Sequence, residues 1–598
     1  MPITYRFKQR QKDLETAFQK QILTKIWKQK VKGQLRSMNI HDLHDYYDFH
    51  RRLDENISKI NEKVLSGQYI AAYPLIYTLE KKLGICRHMT IPSPSDALIF
   101  QTLIHSFGID LEKKAPSKQA YYSRDRTNAI KLPHEVNSDY EDWFSKWKIY
   151  QNEILSFTET KKFIIVTDLS NYYDSIRLRE LRSVISGYIN SPEVYLDLTF
   201  NIIESLSWKP DYLPSQFIGL PVISIEAIRL LAHSFLYDVD NVLQQQTKNN
   251  FVRWMDDIVI GVDDIDEAKE ILKCISDVLK SRGLALNMAK TKILTSEDAK
   301  KHFLFDENMQ LNQFNENNIS EKDFMSSFRH HLKNNQQYRY FDKVLKRYLS
   351  IGGEKKFNGL LKYIPKLFEE HSELRGNICS YLYKLGFQKK TRETFWKLIK
   401  TPRYDDMTLF MLISLTTDWN IPTNKTAQNF ITELSKYLKS QKLVNSEFNF
   451  YSYLWFAAKY EAPTDLYNHI EKFKNFWIKY SFLTRQVASL LPRLLPMMKN
   501  EYKQLSDFII QRDYSDSSSV IFNMNEIQKE KNIPAIKQYL FPSILHKRGY
   551  PLAKFLILYN YCLNPNIVNT PTYDIISELK RHIQDPWFKH WIKHLKSF

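Results

Sequence analysis

Glycine is scarce in this chain of 598 residues, 14 in all, against the roughly 7% usual in globular proteins. Glycine serves positions that need a positive φ, so its shortage argues for a helix-rich architecture with few tight turns. Cysteine is nearly absent too. Cys86, Cys274, Cys379 and Cys562 are far apart with no CxxC spacing, which speaks against a disulfide framework or a structural zinc site and fits a reducing compartment. No window approaches 18 uncharged apolar residues, so neither a membrane span nor a membrane partner is expected. Met1 to Lys30 is charged throughout and holds no apolar core of signal-peptide length, so the expected location is cytoplasmic.

What is present is that of an ordinary soluble protein, 43% hydrophobic and 25% charged, and too long for one core. The net charge of +18 favours a polyanionic partner, because phosphates neutralised by Lys and Arg release counterions; a merely basic soluble protein is the alternative. The texture divides the chain in three. Residues 1–75 read as a helical extension, with apolar residues spaced by three and four, as in Ile40 to Phe49. Residues 76–310 alternate short β-branched runs with amphipathic stretches, predicting an α+β domain. Residues 311–598 read as all α-helical: Tyr340 to Leu349, Phe357 to Ile364, Thr426 to Leu438, Thr464 to Trp477 and Ile575 to His582, with Pro402, Pro422, Pro463 and Pro551 between. Stacked helical pairs (HEAT-like) and a single irregular helical domain both fit, since no motif recurs at a fixed period.

Two segments carry chemistry. Phe163-Ile-Ile-Val-Thr167 predicts a buried strand ending in the carboxylate of Asp168, followed by a turn and a helix with Leu181, Val184 and Ile185 on one face. Acids at the carboxyl ends of buried strands are where α/β enzymes often place their chemistry, although a lone one is more often a cap. Phe251-Val-Arg-Trp-Met-Asp-Asp-Ile-Val-Ile-Gly261 predicts a hairpin with Asp256 and Asp257 near its tip. Adjacent carboxylates in apolar surroundings repel and are costly to bury unpaired, and a divalent cation removes that cost. If Asp168 lies beside the hairpin, the three oxygen-bearing side chains can hold two Mg²⁺ ions roughly 3.5–4 Å apart, oxygen ligands selecting magnesium over zinc.

In order along the chain, these segments resemble the motifs of reverse transcriptases. Asp168-Leu-Ser-Asn-Tyr-Tyr-Asp174 resembles their first palm motif, which implies that Tyr173 lies under the sugar and clashes with a 2′-hydroxyl. Gly219-Leu-Pro-Val-Ile-Ser224 with Arg229-Leu-Leu-Ala232 resembles the second, which supports the templating base and incoming nucleotide. Trp254-Met-Asp-Asp257 stands for the YxDD box. Gly283-Leu-Ala-Leu-Asn-Met-Ala-Lys-Thr291 resembles the fourth, which implies that Lys290 protonates pyrophosphate. Upstream, Arg87-His-Met-Thr-Ile-Pro92 and Ala120-Tyr-Tyr-Ser-Arg124 resemble the two fingers motifs, implying that Arg124 contacts the triphosphate. Trp254 in place of tyrosine, Ile218 where many relatives have glutamine, and a longer second motif put ordinary template handling in doubt.

Within that family the chain resembles the bacterial abortive-infection and other defence-associated reverse transcriptases of the unknown group, which combine palm and fingers with a C-terminal helical-repeat region. The resemblance implies a Mg-dependent DNA polymerase taking dNTPs in antiphage defence, template-independent and protein-primed, with Tyr46, Tyr47 or another early tyrosine as primer. It also implies a DNA product, an RNA template in the templated case, a homo-oligomer and a phage-derived trigger. A retron- or intron-type enzyme copying a dedicated RNA, an RNA polymerase, and an inactive palm-fold nucleic-acid-binding scaffold remain alternatives.

Overall fold

In the computed structural model, the described residues are 5–124, 143–210, 212–440, 446–512, 515–529, 533–541, 549–564 and 581–595. Among these residues, seven strands form two sheets. The first is a hairpin of β1 (Leu75–Lys82) and β2 (Ile85–Ile91). The second has five strands in the order β3 (Ala120–Tyr121), β5 (Phe251–Trp254), β6 (Asp257–Val262), β4 (Phe163–Thr167) and β7 (Lys292–Thr295). Every pairing in it is antiparallel except β3 with β5.

The central strands read as unbroken apolar runs because both faces of this sheet are covered. Helices Trp143–Thr160 and Ser296–His302 pack together and against it, as do Tyr237–Thr247 and Ile265–Ser281. Ile164, Ile165, Val166, Ile258, Val259 and Ile260 are all fully buried. Gly261 lets the first of these helices approach: a Cβ there would lie 2.8 Å from Lys161 Cγ and 3.2 Å from Phe157. Leu181, Val184 and Ile185 share the buried face of the helix Leu178–Tyr188.

Beyond Glu321 the described chain is helical. Seven helices stand in a row in which each packs on the next: Phe341–Glu354, Arg375–Leu385, Met407–Asp418, Glu447–Tyr460, Ser481–Leu490, Ser515–Lys529 and Leu552–Cys562. Their starts are 32 to 40 residues apart, and shorter or more amphipathic helices connect them. This is the stacked arrangement of a helical repeat. Pro463 opens its helix rather than separating two, since its missing N–H costs nothing at the first turn. Most of Ile575 to His582 lies outside the described residues.

One expected helix is absent. Ile40 to Tyr46 turns instead, with Asp45 and Tyr46 at φ 54° and 50°, and only Tyr47–Arg51 is helical. The Asp42 carboxylate accepts the N–H groups of His44 and Tyr46 and is itself gripped by Arg485 at 2.6 Å. A tertiary ion pair thus fixes a side chain that competes with the helix for the same donors.

Candidate active site

Asp168 follows the last residue of β4. Across the sheet Thr167 pairs with Ile258, and Trp254 pairs with Asp257. Met255 and Asp256 therefore make a two-residue turn, and Asp257 stands beside Asp168. Met255 takes φ 54°, an uncommon conformation for a non-glycine residue that needs support from its surroundings. The supports are visible. The Met255 N–H donates to Tyr121 O at 2.9 Å, and its carbonyl accepts from Arg253 Nη1 at 2.7 Å. Arg253 is wholly buried in β5 and is held by Asp240 through two bonds of 2.6 and 2.5 Å. Trp254 lies among Tyr121, Trp147 and Tyr150, with ring centroids 5.1 to 6.3 Å apart, so this indole fills an aromatic socket.

The carboxylates burden one another. Burial first, then Asp257, then Asp168 push the Asp256 carboxyl up to about 7. Burial also raises Asp257, although Arg339 and Lys343 draw it back. Two cations answer the excess charge: Lys290 Nζ stands 2.6 Å from Asp168 Oδ2, and Arg339 donates to Asp257 Oδ1. Lys343 is pushed down to about 8 by burial, against the pull of Asp257. Among the described residues no group of three or more His, Cys, Asp or Glu side chains is spaced to hold a metal as it stands. The donor chemistry nevertheless fits a hard divalent cation: oxygen ligands only, carrying more negative charge than the pocket tolerates. Binding would need Lys290 and Arg339 to yield their carboxylate oxygens.

The other expected residues fall as follows. Asp168 O accepts the Asn287 N–H at 2.7 Å, and Ser170 N–H donates to Ala285 O at 2.9 Å, which ties the turn carrying Lys290 to the end of β4. Gly219 has φ 96°, and its N–H reaches Ile176 O at 2.8 Å while the Leu220 N–H reaches Tyr173 O at 2.9 Å. The second motif is therefore laced onto the first. The Tyr173 hydroxyl is raised by burial and senses Asp256, Arg229 and Arg87. The Arg124 guanidinium is engaged with Glu112 and with Tyr122.

Some residues near the acids were not anticipated. Lys81, lowered first by burial and then by Arg87, feels Asp174, Asp256 and Lys290. Arg339 and Lys343 come from the helical part. Only Arg253 left a trace in the sequence, as a charge inside an apolar strand that had to find a partner. A cleft of about 170 Å³ runs between β2 and the second motif, lined by Arg87, His88, Asp174, Trp208, Gly219 and Leu220. His88 stacks on Trp208 with centroids 4.1 Å apart. Ile218, at the position where glutamine is usual, is 46% exposed.

Residues 127–340 match the family model described as reverse transcriptase (RNA-dependent DNA polymerase). The chain carries a reverse transcriptase domain. No curated protein matches the sequence. Among solved structures, telomerase from Candida tropicalis bound to the TWJ fragment of telomeric RNA is 13% identical, with 64% of this chain and 68% of that one covered at a TM-score of 0.28. The apo form of the same enzyme is 12% identical, covering 67% and 74%, at 0.29. Telomerase from Candida albicans is 12% identical, covering 74% and 67%, at 0.27. Likeness at that level leaves the assignment resting on the family match. The reverse transcriptase domain is joined to an all-α region, and no helix among the described residues is long and apolar enough to cross a membrane.

Proposed function

We propose that the chain is a DNA polymerase that takes dNTPs with two Mg²⁺ ions held by Asp168, Asp256 and Asp257, and that it acts in the cytoplasm in antiphage defence. The observation that carries this reading is the meeting of three carboxylates at the end of β4 and the β5–β6 turn, where burial and then their mutual repulsion bring Asp256 to about 7. Bound divalent cations would supply charge neutralisation and Lewis acidity for phosphoryl transfer. The chain's own groups do the rest. Lys81, Arg87 and Arg229, all near Asp256 or Tyr173, suit the phosphates of an incoming nucleotide. Tyr173 crowds the sugar edge and rejects a 2′-hydroxyl. As the primer oxygen bonds to the α-phosphorus and the bond to pyrophosphate breaks, Lys290, released from Asp168, is the acid for the leaving oxygen.

The defence role and template-independent, protein-primed synthesis rest on the motif departures and on a helical row following the palm. Tyr46 and Tyr47 do not serve as primers in this conformation. They are 2% and 6% exposed, and Tyr47 stacks on Tyr539 at 4.1 Å. Tyr5, 82% exposed, offers its hydroxyl to solvent. A stacked helical row gives an extended surface on which a second copy or a phage-derived trigger would bind.

The test is incubation of the full chain with dNTPs and Mg²⁺, with and without added RNA. Expected is DNA covalently attached to protein whether or not RNA is present, abolished by Asp256→Asn. Incorporation that requires RNA would replace the template-free reading with RNA-templated synthesis. Equal incorporation by wild type and Asp256→Asn would sink the enzyme assignment.

A further inference from the structure

A two-stranded sheet is marginally stable alone, and one edge of β1 faces no other strand among the described residues. The helical part fills that edge. Thr78 donates to Asp406 Oδ2 through its N–H at 2.8 Å and its hydroxyl at 2.7 Å. The Asp406 N–H returns to Thr78 O at 3.2 Å. The Glu80 N–H donates to Asp405 Oδ2 at 3.0 Å. Two consecutive aspartates thus accept alternate N–H groups of the bare edge, as a neighbouring strand would. Arg375, with its side chain 4% exposed, binds Glu80 at 2.8 Å and lies 3.7 Å from Asp405. Its charge offsets the buried acids. Ser372 Oγ donates to Lys81 O at 2.5 Å.

What this edge carries matters for the acids. Glu80 pairs with Cys86 and Lys82 with Ile85, so Lys81 is the extra residue of a bulge. Bulges re-aim side chains, and Lys81 acts on Asp174, Asp256 and Lys290. Arg87 lies on β2 opposite Leu79 and acts on Tyr173.

We propose that Asp405, Asp406 and Arg375 are positioning residues: the helical part clamps the β1–β2 hairpin so that Lys81 and Arg87 are held in place to take the phosphates of the incoming nucleotide. The clamp rests on the reading of Lys81 and Arg87 as phosphate-facing. The position of a hairpin so fastened is set by the helical part, which makes that part a component of nucleotide binding.

The experiment uses the full chain and two readouts. In steady-state dNTP incorporation, Asp406→Ala is expected to raise the nucleotide KM about tenfold or more, since small misplacements of contacting groups cost up to about a hundredfold, with kcat changing much less. Asp406→Asn keeps an acceptor for Thr78 and restores most of the wild-type KM. Lys81→Met raises KM by itself, and adding Asp406→Ala to it raises KM little further, as shared function requires. Amide hydrogen exchange at Thr78 and Glu80 reports the clamp without reference to nucleotide: faster by about tenfold or more in Asp406→Ala, near wild type in Asp406→Asn. A wild-type KM in Asp406→Ala alongside a raised KM in Lys81→Met overturns the clamp, as does unchanged exchange at both amides. Wild-type KM in both Lys81→Met and Arg87→Met, with exchange responding as expected, overturns the phosphate-facing reading on which the clamp's role depends.

Discussion

Consider Asp256→Asn in the protein stripped of divalent cations. Burial and the charges of Asp257 and Asp168 raise the Asp256 carboxyl from 3.8 to about 7. A carboxyl raised on folding binds its proton more tightly in the native state, so its contribution to stability is complete below the unfolded value and is lost as pH rises through the folded one. The loss runs between pH 4 and 7. Three units at 1.36 kcal/mol each set it at about 4 kcal/mol by pH 8, an upper bound because water reaches one side of the group and because Asp256 and Asp257 titrate as a pair. Asparagine mimics the protonated form, so the variant escapes the loss. Urea unfolding of both proteins in EDTA, followed by intrinsic tryptophan fluorescence, is expected to show a gap in favour of the variant that is small at pH 4 and about 2–4 kcal/mol at pH 8. Mg²⁺ at a hundred times its Kd then stabilises the wild type by about 2.7 kcal/mol and the variant by much less. A gap independent of pH, or a less stable variant at pH 8, would refute the claim that these carboxylates strain one another.

Arg253→Met leaves Asp240 buried without its cation and is expected to cost about 3–5 kcal/mol in the same unfolding assay. Gly261→Ala forces a Cβ to 2.8 Å from Lys161 Cγ and 3.2 Å from Phe157; overpacking of about 1–3 kcal/mol is expected, measured by thermal unfolding at fixed pH. Arg339→Gln removes the cation bound to Asp257, so half-saturation by Mg²⁺ in the incorporation assay falls several-fold. Tyr173→Ala opens the sugar edge and raises ribonucleotide use relative to deoxynucleotide use by about tenfold or more, corresponding to at least 1.4 kcal/mol of lost discrimination; an unchanged ratio would remove Tyr173 from that role.

Local pattern made some of this legible. Phe163 to Thr167 reads as a strand because four apolar residues end sharply at a carboxylate, and β4 spans those five residues. The hairpin around Asp256 was visible for the same reason, with β-branched runs on both sides of a polar tip. The row of helices was half visible: stacking demands an apolar face of the right length and no recurring motif, so the regular spacing of starts emerged only from the packing. Ile40 to Phe49 misled because its helical spacing is real, but Arg485, more than 400 residues on, recruits Asp42 for a turn. Arg124 has partners, Glu112 and Tyr122, that no motif encodes. Lys81, Arg339 and Lys343 look like any surface base in the sequence, and it is tertiary approach that brings them to the acids.

The charges around Asp256 contrast with those around Arg485. Arg485 binds Asp42 and Asp48 in the core at 2.6 and 2.5 Å. There burial would raise the acid, but the guanidinium wins and holds Asp48 near 2, while Arg485 itself rises. Arg485 and Asp48 are both driven further into their charged forms. Around Asp256 most directions reverse, Arg339 excepted. Asp256 and Asp257 are raised although Arg339, Lys343 and Lys290 stand near, while Lys343 and Lys81 are lowered although acids stand near. Pairing there is incomplete: Arg339 rises beside Asp257, yet burial outweighs the partners of Asp256, Asp257, Lys343 and Lys81. Such mutual frustration is a mark of functional sites. It is relieved by a ligand bearing both signs, and a triphosphate arriving with divalent cations is such a ligand: anionic oxygens for Lys81, Arg87 and Lys343, and cations for the carboxylates.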